Sequence, residues 1–160
     1  MKQLYFLLLT TFFIGTSAFA QQHPQHNKQE DFEHYKALKV SYLTNQLELT
    51  PTEAQNFWPI YNEYEKARFQ NHQKCKELEK EVSDNYDTYS NQQFENLNQK
   101  IINQYIQEGQ IQKKYNARFL KVLPVKKVAI LSKVENDFRF KMIREYRQRE
   151  NQKHGTEDRK

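Results

Sequence analysis

An all-α fold is predicted by three observations: glycine and proline are scarce, sharp helix starts stand at Thr50 and Ser90, and apolar residues recur every three or four positions. The architecture that follows is a long antiparallel helical hairpin with two flanking helices. Three glycines and four prolines in 160 residues cannot turn the corners of a many-stranded sandwich, while Glu, Gln, Lys and Arg are plentiful and suit the wet faces of helices. With 37% of residues hydrophobic and 28% charged, one thin, elongated domain is expected.

Residues 1–20 read as a cleavable signal peptide. Met1 and Lys2 give a short positive region, Leu4 to Ile14 an apolar run too short for a comfortable membrane span, and Ala18-Phe19-Ala20 an A-x-A cleavage site. Cleavage is expected after Ala20, leaving four helices in the mature chain. Residues 21–30 are polar and aperiodic and are expected to form a flexible arm. A helical domain then spans 31–150. Its first helix, about four turns long by helical spacing, places Tyr35, Leu38, Tyr42 and Leu49 near one face and widens it with Val40, Leu43 and Leu47.

The second helix starts after Thr50. The Thr50 hydroxyl caps free backbone N–H groups, Pro51 suits the first helical position because no N–H is needed there, and Glu53 completes a T-x-x-E capping box. Ala54, Phe57, Tyr61, Tyr64, Arg68, Asn71, Cys75, Leu78 and Val82 then alternate steps of three and four, a heptad seam with polar members. Trp58 and Phe69 broaden the apolar face, and Pro59 is expected to remove one backbone hydrogen bond and bend the helix near its second turn. Ser83 to Tyr89 supplies turn-forming residues for a hairpin loop.

Ser90 and Gln93 offer a second capping box. Phe94, Leu97, Ile101, Tyr105, Ile111, Tyr115, Phe119 and Val122 mark the face of the third helix that follows. Gly109 inside it costs about 1 kcal/mol of helix stability relative to alanine. A fourth helix follows Pro124, with Val128, Leu131, Phe138, Met142 and Tyr146 on one face and basic last turns; residues 151–160 form a charged tail expected to be disordered.

A short loop makes the two long helices antiparallel neighbours. With the turn centred near Tyr86, Leu78 is expected beside Phe94, Cys75 beside Leu97, Asn71 beside Ile101, and Arg68 beside Gln104 and Glu108. A polar seam of Arg68 with Gln104 or Glu108 would fix the register, as buried polar groups do in coiled coils.

The net charge of +5 is modest, and Lys and Arg interleave with Asp and Glu until the C-terminal end, which argues against nucleic acid as a partner. Cys75 is the sole cysteine and cannot form a bridge within the chain, so stability is expected from packing. A homodimer is expected to cover the apolar face that so thin a hairpin leaves open. No membrane insertion is expected after signal cleavage. The chain has neither a glycine-rich phosphate loop nor a G-x-S-x-G elbow, so it is expected to be no enzyme and to carry no catalytic residue.

Leu49-Thr50-Pro51-Thr52-Glu53-Ala54-Gln55-Asn56-Phe57-Trp58-Pro59-Ile60-Tyr61-Asn62-Glu63-Tyr64 resembles the LTxxQ pattern of the Spy/CpxP family of periplasmic stress proteins. It resembles in particular a Bacteroidetes-type branch described as sensors of ECF-type sigma factors. Glu53 stands where enteric members carry Gln. Leu123-Pro124-Val125-Lys126-Lys127-Val128-Ala129 resembles the second marker of that branch, with Val125 in place of a second proline. The motif positions are thus Leu49, Thr50, Pro51, Glu53, Phe57, Trp58, Pro59, Tyr61, Leu123, Pro124 and Val128. The resemblance implies a periplasmic, non-enzymatic helical protein that senses or regulates envelope stress through a protein partner, a membrane anti-sigma factor. It also implies two alternatives, a holdase chaperone for unfolded clients and a heavy-metal sensor.

Two features bear on those alternatives. His72 and Cys75, three apart on a helix, are a legitimate donor pair for zinc or copper, with His23, His26 or His34 to complete a site; otherwise no cofactor is expected. Cys75 also lies on the heptad seam, where a buried inert thiol is the common outcome. Phe57, Trp58, Tyr61 and Tyr64 sit at helical spacing and are expected in the core, while the full load of eleven Phe and ten Tyr offers material for an adhesive face.

Overall fold

Four α-helices and their short connections account for residues 28–157, the part of the chain that this computed structural model describes. They are α1 (Lys28–Gln46), α2 (Pro51–Asp84), α3 (Asn91–Phe119) and α4 (Val125–Glu157), with no strand among the described residues. The all-α expectation holds. The expected signal peptide and most of the expected arm lie outside the described residues. No helix among the described residues is long and apolar enough to cross a membrane.

Two boundaries differ from those set by the sequence pattern. α1 begins at Lys28, within the expected arm, and its first turn carries Glu30 and Asp31, acids that favour the positive end of the helix dipole. α4 runs on to Glu157, through most of the expected disordered tail, because no proline interrupts it there.

Between α1 and α2 the chain turns on a left-handed residue that is not glycine. Glu48, at φ 49°, is the C′ residue of a Schellman motif: Leu49 N donates to Thr44 O at 3.0 Å and Glu48 N to Asn45 O at 3.1 Å. The capping box follows at once, with Glu53 N donating to Thr50 Oγ1 at 3.3 Å and Thr50 N to Glu53 Oε2 at 2.8 Å. α2 continues through Pro59, which lies on its solvent side.

α2 and α3 form the antiparallel hairpin, and α1 lies along α4. The hairpin loop is Asn85–Ser90, centred near Asp87 and Thr88 rather than Tyr86, and this moves the register by about one helical turn. Asn71 therefore meets Gln104, not Ile101. Every seam position of α2 from Ala54 to Val82 is buried or half-buried. The matching seam of α3 is Leu97, Ile101, Gln104, Glu108, Ile111 and Tyr115, so Tyr105, expected on the inner face, stands 57% exposed. Polar Glu108 occupies the seam because Arg68 and Asn71 meet its carboxylate from α2, while Gln104 meets Asn71 through its backbone carbonyl.

The main core gathers all four helices at one end of the hairpin. Leu43 and Leu47 come from α1 and its end, Phe57, Tyr61 and Tyr64 from α2, Ile111, Tyr115 and Phe119 from α3, and Val128, Leu131, Val134 and Phe138 from α4. Phe57 is fully buried, with the rings of Trp58, Tyr61 and Phe119 at 5.1, 5.2 and 5.4 Å. On α1, Tyr35 and Val40 are exposed where the inner face was expected, because Leu43 and Leu47 take the deep positions. Beyond this core the hairpin's buried apolar side chains are its own, Cys75 and Leu97.

Gly109 lies on an exposed face of α3, and an added Cβ would meet no atom within 4 Å. Gly109→Ala is therefore expected to raise stability by about 1 kcal/mol, read as a higher urea midpoint at unchanged slope. A lower midpoint would mean that α3 depends on a local distortion at this residue.

Candidate functional site

The two sequence markers meet at the closed end of the bundle. Lys127, in the first turn of α4, donates from Nζ to Glu53 Oε2 at 2.8 Å and to the Glu48 carbonyl at 2.6 Å. The capping box of α2 is thereby pinned to α4. The Lys127 hydrogen bond, joined by that from the Thr50 backbone, holds the Glu53 carboxyl below the usual carboxylate range. Leu123 and Val128 are buried in the core, Leu49 packs against it, and the Pro124 carbonyl accepts the first backbone bonds of α4 from Lys127 and Val128. Phe57 and Tyr61 are buried, Trp58 is half-buried and Pro59 is exposed. These residues build a structural joint.

Above that joint lies a polar layer. Arg68 Nε donates to Glu108 Oε1 at 2.7 Å, and Asn71 Nδ2 donates to Glu108 Oε2 at 3.3 Å and to the Gln104 carbonyl at 3.1 Å. The Arg68 guanidinium also stacks over the Tyr64 ring at 5.2 Å. Gln104 thus enters through its backbone and serves Asn71 rather than Arg68. Asn71 Oδ1 is buried and finds no donor among the described residues. Sequence spacing placed Asn71 on the seam, but its bonding partners follow only from the shifted register.

A third polar group ties α4 to the hairpin. Tyr61 Oη donates to Glu135 Oε1 at 2.7 Å, while Lys39 of α1 pairs with Glu65 and lies over the Tyr61 ring at 5.2 Å. Burial pushes the Tyr64 phenol up to about 12 and the Tyr61 phenol higher still, so both rings stay neutral and Tyr61 remains a donor. Burial also raises the Glu135 carboxyl above the usual range, with Glu65 adding to it; Tyr61, Arg68 and Lys39 pull the other way. A carboxyl raised in this way binds more protons folded than unfolded, so its contribution falls as pH rises from the unfolded pKa through the folded one. Glu135→Gln keeps an acceptor for Tyr61 and removes the charge. The variant is expected to lose that part of the pH dependence and to exceed the wild type in urea midpoint at about pH 7. Parallel midpoint curves from about pH 4 to about pH 7 would show that the carboxyl titrates alike in both states.

A cleft of ≈ 640 Å³ opens between the hairpin and the α1–α4 pair, walled by Phe69, His72, Cys75 and Tyr105 on one side and Tyr35, Phe138 and Arg139 on the other. His72 is exposed and Cys75 buried, although both border this cleft. Burial, followed by the neighbouring Glu79 carboxylate, pushes the Cys75 thiol up and keeps it protonated. Among the described residues no three His, Cys, Asp or Glu side chains converge as a metal site, and His23 and His26 lie outside them. A second hollow, of ≈ 680 Å³, runs between α1 and α2 and is bordered mainly by apolar side chains.

These features define an all-helical protein with a tightly capped base, a hairpin registered by a polar layer, and open apolar hollows around it. No family model, no curated protein and no solved structure matches this chain.

Proposed function

We propose that this chain is a non-enzymatic periplasmic regulator of the Spy/CpxP kind, which senses envelope stress and acts by contact with a protein, the membrane anti-sigma factor of an ECF-type sigma-factor pathway. The observation that carries this reading is the large apolar surface left outside a well-packed core: Phe32, Phe69, Tyr105, Phe140 and Tyr146 are each more than half exposed. Exposed aromatic side chains of this kind suit a surface that meets a protein partner. The half-buried carboxyls Glu108 and Glu135 are tied to Arg68 and Tyr61, so these polar groups are taken up by contacts between helices. The resemblance around Thr50 and Pro124 supplies the class of partner.

A photo-crosslinking residue at Tyr146 is expected to capture one single-span membrane protein in the cell envelope, and loss of the gene to change transcription of one sigma-factor regulon. The same exposed aromatics favour a second reading, a holdase chaperone. Capture of many unfolded chains, with suppression of aggregation at near-stoichiometric amounts and no regulon response, would replace the first reading with the second. Sedimentation reads whether a homodimer covers part of this surface. Calorimetry with zinc or copper on wild type, His72→Ala and Cys75→Ala decides the metal-sensor alternative.

A further inference from the structure

We propose that the groove between α1 and α2 is the docking site for an amphipathic helix that carries acidic residues on both flanks of its apolar stripe, supplied by another protein. This deepens the reading above, because it names the chemistry of the partner segment.

The groove is built from two antiparallel ridges. α1 presents Phe32 and Val40, 52% and 44% exposed, and α2 presents half-buried Trp58 and Phe69, 62% exposed. From Trp58 to Phe69 the groove spans about 16 Å at ~1.5 Å per residue, the length of about three helical turns. Its floor is closed by the Lys39–Glu65 pair over Tyr61. Apolar side chains at such spacing match the i, i+3, i+4 and i+7 anchors of a helix laid into a groove.

The backbone decides between a helix and an extended peptide. Both walls are helices whose N–H and C=O groups are already bonded along their own axes, so neither offers an edge to pair with a strand. An extended segment would leave its own backbone unpaired against apolar side chains, whereas a helix brings its hydrogen bonds with it. Charge sets the flanks. Lys66 stands on the α2 rim and Lys36 on the α1 rim, where it lies over the Phe32 ring at 4.8 Å and holds Glu33 in an exposed pair at 3.5 Å that solvent screens, so cations border the groove on opposite sides. Acidic residues on each flank of the incoming helix meet them. A second copy of this chain fits less well through the outer face of α4, where Phe140 and Ile143 stand among Lys141, Arg144 and Arg147 and would bring cations against cations.

Trp58 is the chain's only tryptophan and borders the groove, so its fluorescence reports occupancy directly. The probe is a synthetic helix of about 14 residues with leucines at i, i+3, i+4 and i+7 and glutamates flanking them, long enough to fill the groove. A control peptide replaces each glutamate by lysine. The acidic peptide is expected to shift Trp58 emission saturably, and Lys36→Glu/Lys66→Glu is expected to weaken it about tenfold, the sum of two rim charges. The lysine peptide is expected to prefer that charge-reversed variant, a gain that misfolding cannot produce. Phe69→Ser, at an already exposed position, is expected to weaken both peptides with an unchanged circular dichroism spectrum. Equal binding of the two peptides, no emission change, or a concentration-dependent dimer abolished by Phe69→Ser would overturn the proposal. The two readings fail separately. Capture of a membrane partner at Tyr146 without peptide binding sinks the groove and leaves the regulator standing; peptide binding without a regulon response does the reverse.

Discussion

Phe57→Ala is expected to cost about 3–5 kcal/mol, a large part of the stability that a domain of this size possesses. Phe57 has no exposed surface, and its ring touches partners from its own helix and from α3. Removing it leaves a hole bounded by Trp58, Tyr61 and Phe119, whose own positions are fixed by further contacts: Tyr61 by Glu135, and Phe119 by Tyr64 at 5.6 Å. Neighbours held in this way cannot collapse into the space, so the cavity cost adds to the transfer cost. The measurement is urea unfolding followed by tryptophan emission and by helix content. A loss under about 1.5 kcal/mol would show that this end of the bundle repacks freely.

The second large effect lies in the polar layer. Arg68→Ala leaves Glu108 charged and partly buried with only the Asn71 amide to answer it, and is expected to cost about 1.5 kcal/mol, the low end for a charged hydrogen bond. The low end is chosen because the side chains of Arg68 and Glu108 are 34% and 26% exposed, and water screens them. Glu108→Ala is expected to cost a similar amount, and the double variant clearly less than the sum, since the two act as one unit. Arg68→Met with Glu108→Leu should recover the lost stability, because an apolar pair fits a seam between Ile101 and Ile111. The same variant gives up the feature that distinguishes one register from its neighbour a turn away. It is expected to show broadened or doubled amide signals from the hairpin in solution spectra. Sharp single signals would assign register to the loop and the aromatic contacts instead.

What was legible in the chain was local or periodic. Both capping boxes could be read because donor and acceptor lie three residues apart, and the α2 seam because steps of three and four recur over its length. The register was misplaced by a turn because it depends on where α2 stops. The Asn85 side chain, bonded back to the Glu81 carbonyl at 2.9 Å, carries that stop past the point marked by turn-forming residues. Glu48 gave no sign of its left-handed conformation, since the position usually calls for glycine. Lys127 was visible only as one residue of a marker. Its partner Glu53 is 74 positions away, and no spacing rule reaches that far. Glu135 was hidden likewise, because an acid on an amphipathic helix looks solvated until the fold brings Tyr61 against it.

The main core grips the α2–α3 rod near one end only, and this has a mechanical consequence. A beam clamped at its root bends most at its free tip, so thermal displacement should grow steadily from Phe57 toward Tyr86. Amide protons in the two long helices would then exchange with solvent along a gradient, slowest beside Phe119 and fastest next to the loop. A contact made far out along the rod would quiet that motion over its whole length without altering the clamp.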